Sequence, residues 1–157
     1  MKVLTINTYR FDELSDNAKD EAREWYREGQ EIVWGDEWIE SLNVFCKHFD
    51  VKLNNWSYSL YDCPTIDYTV SNPDELFENT VDLSGNCPFT GYCGDESLLD
   101  PLRKDTEGKD RQTVIDECID SWVDDLYSDI KHQLSDEYID ENIVINEYDF
   151  DINGNRI

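Results

Sequence analysis

The sequence predicts an α+β fold in one domain, residues 1–157, in which several helices cover a short antiparallel sheet. A length of 157 residues suits one domain with a real hydrophobic core. Apolar residues recur at helical spacing in some segments and alternate in others, which are the patterns of amphipathic helices and half-buried strands. Five Trp, nine Tyr and six Phe supply core material that acidic disordered chains lack.

The first third of the chain predicts one strand and two helices. Residues 2–9 alternate as a strand does. Ser15 is placed as the N-cap of a helix that ends near Glu28, before Gly29. A second helix is predicted at about 35–49, because its aromatic and aliphatic residues form one stripe. That stripe predicts a core face, with an exposed aromatic binding face as the alternative, and it comprises Trp34, Trp38, Leu42, Phe45 and Phe49.

The middle of the chain predicts the sheet. Alternation over 51–60, with one irregularity near Asn54-Asn55, indicates a strand, and further strands are predicted at 66–70 and 79–83. We therefore expect three or four antiparallel strands. A Gly-containing loop at 84–95 and a short helix at 96–104 follow.

The last third predicts two helices and a turn. A long helix is predicted from Asp110 to about Leu134, and Ser135 is placed as the N-cap of a final helix. The alternating residues Tyr148, Phe150 and Ile152 precede Asn153-Gly154, a pair typical of a tight turn.

The formal net charge of −24 is the most unusual property of the chain. Residues 105–157 contain 16 acidic and 4 basic residues and so carry half of the excess. Duplex DNA carries a similar charge over about 40 Å, roughly the expected diameter of this chain. With no basic patch to meet phosphates, direct nucleic-acid binding is not expected, and the predicted partners are cationic.

The two C-terminal helices are predicted to present this charge as a partner-binding surface. Asp116, Asp120 and Asp124 follow one another at i, i+4 and so rise about 6 Å per step along one helix face. Only Lys131 interrupts the run, whereas an ordinary solvated face, the alternative, normally mixes in bases. The predicted surface comprises Asp116, Glu117, Asp120, Asp124, Asp125, Asp129, Asp136, Glu137, Asp140 and Glu141.

Other groups of residues give weaker indications of a metal site or a catalytic site. Asp149, Asp151, Asn153 and Gly154 resemble the front of a calcium loop, but the motif's twelfth ligand would lie past Ile157, so a turn is favoured over a calcium site. Cys87 and Cys93 are separated by five residues, more than zinc ligand pairs prefer. Cys46 and Cys118 fall on apolar stripes and are expected in the core. No catalytic motif is recognised, so no enzyme activity and no cofactor are predicted.

Three further stretches are distinctive: Phe11-Asp12-Glu13-Leu14-Ser15 continuing to Tyr26, Cys87-Pro88-Phe89-Thr90-Gly91-Tyr92-Cys93 continuing to Pro101, and Asn146-Glu147-Tyr148-x-Phe150 with Gly154. They resemble a family of small acidic proteins of tailed phages and prophages. Where related proteins carry a Phe-x-Ser-Gly-Phe-Trp-Ser run, this chain reads Asn55-Trp56-Ser57-Tyr58 and departs from the pattern. The resemblance implies phage origin and carries no assigned residue roles.

Charge and resemblance together predict an anti-defence inhibitor, similar to anti-CRISPR proteins. It would mimic nucleic acid and occupy a Lys/Arg-lined DNA- or RNA-binding surface of a CRISPR effector or another defence nuclease. The alternative is a phage accessory module that binds a host protein through an aromatic surface drawn from Trp34, Trp56, Tyr58, Tyr61 and Tyr92. With five cysteines, no apolar leader and no long apolar run, the expected location is the host cytoplasm.

Overall fold

Five α-helices and a two-stranded antiparallel sheet make up the regular structure of the computed structural model, which describes residues 7–85 and 87–157. The predicted α+β class is therefore confirmed. In chain order the elements are α1 Asp16–Glu28, α2 Gly35–His48, β1 Val51–Ser57, β2 Thr65–Val70, α3 Gly94–Leu99, α4 Arg111–Gln133 and α5 Asp136–Ile145. Short 3-10 turns at Phe11–Glu13 and Pro101–Arg103 complete the helical segments.

The two serine caps lie where the sequence places them. Ser15 and Ser135 have extended backbones, and their side chains accept hydrogen bonds from the backbone N–H of Ala18 and Tyr138. Each serine thereby satisfies one of the free N–H groups at a helix start. The starts of α1 and α5 are thus set by local chemistry.

The sheet is smaller than expected. β1 pairs with β2 with an irregularity between Leu53 and Asn55, where the sequence pattern also breaks. β1 ends at Ser57, and the Ser59 hydroxyl then accepts hydrogen bonds from two following backbone N–H groups. The predicted strand at 79–83 is wrong, because Asn79 and Asp82 side chains bond the backbone N–H groups two residues on and replace a strand ladder with turns.

Of the strand predicted at residues 2–9, the described residues 7–9 form only an isolated bridge at Tyr9. Residues 2–6 of the predicted first strand lie outside the described part. Tyr9 and Phe150 exchange two backbone hydrogen bonds of 2.9 and 3.0 Å, and Phe150 also bridges Arg156. The ends therefore meet through isolated bridges.

The chain divides into two compact units. One contains Ile32–Ile130 and the other joins the residues up to Glu31 with Lys131–Ile157. The prediction of one domain stays a prediction. In the Ile32–Ile130 unit, the fully buried Trp122 donates its indole N–H to the Trp38 carbonyl at 3.2 Å. Cys46 and Cys118 are also buried there, as expected, and burial raises the pKa of both thiols to about 12.

In the other unit α1 packs against α5 and the C-terminal turn. Its core contains Ala18, Ala22, Ile139, Ile143 and Phe150. Gly154 has a φ of +91°, and a Cβ there would overlap the Ala18 carbonyl oxygen. Both the backbone angle and the close approach require glycine at this position.

Candidate partner-binding surfaces

At the start of α4, two of the predicted surface residues hold the fold together. The half-buried Asp116 accepts a 2.5 Å hydrogen bond from the Tyr68 hydroxyl and a 2.8 Å bond from Gln112. Burial, and then this bond to Asp116, raise the pKa of Tyr68. Glu117 accepts two bonds, of 2.7 and 2.9 Å, from the Lys109 ammonium. Asp116 is therefore bonded within its own unit, and its place on the predicted partner-binding surface stays a prediction.

The next turns of α4 carry exposed carboxylates. Asp120 and Asp124 are exposed and have no bonded partner among the described residues, and Asp125 accepts a 2.6 Å bond from Ser97. These acids lie along a groove of about 520 Å³, which we call the acidic groove. Its lining comprises Pro101, Lys104, Lys109, Glu117, Asp120, Ser121, Asp124 and Asp125. Four carboxylates face two ammonium groups, so the local charge is negative.

On α5, two of the four predicted surface carboxylates are paired with arginines of α1. Asp140 accepts bonds of 2.7 and 2.8 Å from Arg23, and Asp136 pairs with Arg27. The bond to Asp140 is the largest cause of a raised pKa of Arg23. Glu137 and Glu141 are exposed and have no bonded partner among the described residues.

The structure thus separates the ten predicted surface residues by contact. Asp116, Glu117, Asp125, Asp136 and Asp140 bond to side chains of their own unit, whereas Asp120, Asp124, Glu137 and Glu141 are exposed. Asp129 is half-buried and contributes to a raised pKa of Tyr92. The four-residue spacing of Arg23 and Arg27, matched by Asp136 and Asp140, is the sequence signal that identifies the α1–α5 pairs.

A buried carboxylate, Asp95, organises the loop before α3, and the sequence pattern did not reveal it. Asp95 is fully buried and accepts bonds from the backbone N–H groups of Phe89, Thr90 and Gly91 at 2.8–3.2 Å. The Thr90 hydroxyl donates to its other oxygen at 2.8 Å. This arrangement fixes the loop that carries Tyr92 and Cys93.

The predicted aromatic surface is partly assembled in the Ile32–Ile130 unit. Trp34 does not join the core stripe, because it is 58% exposed and precedes α2 with a left-handed φ of 65°. Its ring lies 6.3 Å from that of Tyr92. Trp56 stacks on Tyr58 with ring centroids 5.5 Å apart. Tyr61 is 72% exposed and has no ring contact among the described residues.

The acidic C-terminal motif forms a turn. The Asp151 carboxylate accepts bonds from the backbone N–H groups of Asn153 and Asn155 and from the Asn155 side chain, at 2.8–2.9 Å. The Asn155 side-chain bond is the largest cause of a lowered pKa of Asp151. In the described part of the chain, no group of three or more His, Cys, Asp or Glu side chains is arranged to hold a metal ion.

Among the described residues, no helix has the length and apolarity needed to cross a membrane.

Comparison of the chain with protein-family models, with curated protein sequences and with solved structures gives no match. The resemblance to acidic phage proteins therefore stays a prediction.

Proposed function

We propose that this chain is a non-enzymatic inhibitor that mimics nucleic acid and occupies a Lys/Arg-lined DNA- or RNA-binding surface. The exposed pair Asp120 and Asp124 on the acidic groove carries the proposal. One helical turn separates the two residues, about 6 Å along the axis. They can therefore meet a row of cationic side chains without breaking any contact described in the fold.

The placement of the bases supports this proposal. Near the groove, Lys109 is paired with Glu117, and Arg103 is paired with Glu96 and Asp100. With Lys109 neutralised by Glu117, the exposed Asp120, Asp124 and Asp125 still outnumber the exposed Lys104 of the groove lining, so the field that a partner meets is negative. Such a field steers association with a cationic surface and weakens as salt is added.

The anti-defence role is the more specific part of the proposal. It rests on the resemblance to phage proteins together with the net charge of −24. In this role the target is a CRISPR effector or another defence nuclease in the host cytoplasm, and the protein competes with DNA or RNA for it.

A charge-reversal experiment tests the surface. Asp120→Lys/Asp124→Lys changes the charge by +4, and Asp74→Lys/Glu78→Lys makes the same change at exposed positions in a loop of the same unit. Against a panel of purified CRISPR effectors and restriction nucleases, inhibition of DNA binding is measured for each variant. We expect the groove variant to bind at least about tenfold more weakly, equivalent to ~1.4 kcal/mol, and the loop variant to bind nearly as well as the original.

Two results would contradict the proposal. Equal losses in both variants would mean that only the total charge matters. Full inhibition by the groove variant, Asp120→Lys/Asp124→Lys, would show that the binding surface lies elsewhere on the molecule.

A second candidate is the accessory module that binds a host protein through an aromatic surface. Exposed aromatic rings favour it, since Trp34, Trp56 and Tyr61 are 58%, 41% and 72% exposed. Large aromatic side chains left in solvent are typical of protein interfaces. Loss of host-protein binding in single Ala variants of these residues, at unchanged melting temperature, would favour this candidate over mimicry.

A further inference from the structure

Four aromatic residues of the Ile32–Ile130 unit form what we call the aromatic platform: Trp34, Trp56, Tyr58 and Tyr92. Trp56 and Tyr58 stack nearly parallel, with an interplanar angle of 12°. The Tyr58 hydroxyl packs so closely on Gly35 that a Cβ there would lie 2.5 Å from it. Gly35 follows Trp34, whose ring is tilted by 32° against that of Tyr92. The platform thus links β1, the start of α2 and the loop before α3.

The backbone of Trp34 is unusual for its residue type. Its φ of 65° lies in the left-handed region, which disfavours bulky side chains. Its side chain is 58% exposed, so burial does not compensate for the strain. Glycine would adopt this angle without cost. A strained and exposed tryptophan is therefore better explained by contact with a ligand than by folding.

Two carboxylates follow the platform residue Trp34 closely in the chain. Asp36 and Glu37 lie in the first turn of α2, and after burial they are the next causes of a raised pKa of Tyr58. For Tyr92, burial is the largest cause of the raised pKa, followed by Cys93 and then by Asp129 and Glu37. Asp36 and Glu37 directly follow Trp34 and Gly35 in the chain, so their negative charges lie at the end of α2 that carries part of the platform.

The position of Tyr92 on the platform is fixed before any ligand binds. Tyr92 packs edge-on against the buried Trp38, with ring centroids 6.0 Å apart. Its backbone N–H donates to Thr90, which is itself bonded to the buried Asp95. A surface fixed in this way loses little conformational entropy on binding.

We propose that the aromatic platform binds an arginine side chain of a partner protein, with the guanidinium over the rings of Trp34 and Tyr92 and facing the carboxylate of Glu37. Charge complementarity selects a cation, because an apolar ligand would remove these carboxylates from water without pairing them. Arginine fits better than lysine, since its planar group stacks on rings while its N–H donors reach carboxylates. The inference does not depend on the acidic groove.

Blocked tripeptides test the site on the full chain. Acetyl-Gly-Arg-Gly-amide is titrated beside the same peptide with lysine or with citrulline, which keeps the shape of arginine but has no charge, and binding is followed by NMR chemical shifts. We expect weak binding, with arginine preferred over citrulline by about fivefold or more. Trp34→Gly should lose about the same factor while its melting temperature holds or rises, because glycine accepts the backbone angle.

Two controls separate this site from the others. Tyr61→Ala removes an exposed aromatic outside the platform and should leave arginine binding unchanged. Asp120→Lys/Asp124→Lys should also bind the arginine peptide normally, so failure of the acidic groove and failure of the platform are distinguishable.

Three results would overturn the inference. These are equal binding of the citrulline peptide, unchanged binding by Trp34→Gly, and self-association of the original chain that Trp34→Gly abolishes. In the last case the occupant of the platform is a second copy of this chain.

Discussion

Acidic residues of α4 and α5 have the same spacing along the sequence but different surroundings in the structure. Both helices carry aspartates four residues apart, Asp120 and Asp124 in one and Asp136 and Asp140 in the other. On α4 the two carboxylates are exposed along a groove, whereas on α5 they hold Arg27 and Arg23 of α1. The comparison teaches that a run of acids in a sequence does not measure the charge available to a partner. A carboxylate paired with a half-buried arginine stabilises the fold and is not available to a partner.

Asp95 is the strongest case of a carboxylate used for folding, and Asp95→Asn should have the largest effect on stability. The amide keeps only one oxygen and no charge, so the three backbone N–H groups lose a charged acceptor and the Thr90 hydroxyl loses the second oxygen to which it donates. We expect a loss of about 3 kcal/mol in the free energy of unfolding, measured by urea denaturation. Asp74→Asn, an exposed loop carboxylate, is the control and should change it by less than about 0.5 kcal/mol. Similar values for the two variants would show that the Asp95 bonds do not form in solution.

The pairing of α1 with α5 should appear as an energetic coupling. Arg23 and Asp140 make a two-pronged contact, and the Arg23 side chain is only 18% exposed. A double-mutant cycle of Arg23→Gln and Asp140→Asn should give a coupling of about 1–2 kcal/mol, more than an exposed ion pair. A cycle of Arg23→Gln with Glu141→Gln is the control and should give almost none. Equal coupling in both cycles would remove the distinction between paired and exposed acids on α5.

The smallest effect concerns pH and the exposed pair of Glu96 and Arg103. The bond from Arg103, and then the bond from the Cys87 backbone, lower the pKa of Glu96 below its usual 4.5. A lowered pKa in the folded state stabilises the protein above pH 4.5, and this contribution disappears as the pH falls through the lowered value. In an NMR titration, Arg103→Gln should move the Glu96 pKa upward. An unchanged titration curve would mean that the pair does not persist in solution.

Local chemistry made much of the fold predictable. Ser15 and Ser135 cap their helices, and the alternation in 51–60 breaks near Asn54-Asn55, where the paired strands have their irregularity. The strand predicted at 79–83 does not form, and the reason is also local. The side chains of Asn79 and Asp82 accept hydrogen bonds from the backbone N–H groups two residues further along the chain. Side-chain competition of this kind does not change the apolar pattern, so the pattern alone predicts a strand.

The candidate site was less predictable because its contacts join distant parts of the chain. Helical spacing predicts that Asp116 lies in line with Asp120. The Tyr68 hydroxyl that donates a hydrogen bond to Asp116 is 48 residues away in the sequence, so the pattern of the helix does not reveal it. The Arg23–Asp140 pair spans 117 residues. The left-handed backbone at Trp34 likewise carries no local signal such as glycine or asparagine.

The central claim is that Asp120 and Asp124 on α4 are free carboxylates, whereas Asp136 and Asp140 on α5 are structural ones. The most direct measurement is the unfolding free energy of two matched variants, Asp120→Asn/Asp124→Asn and Asp136→Asn/Asp140→Asn. Each variant removes two charges with the same spacing and nearly the same side-chain shape. The account predicts a change below about 0.5 kcal/mol for the α4 variant and a loss of about 2 kcal/mol for the α5 variant. Equal losses, or a larger loss in the α4 variant, would contradict it.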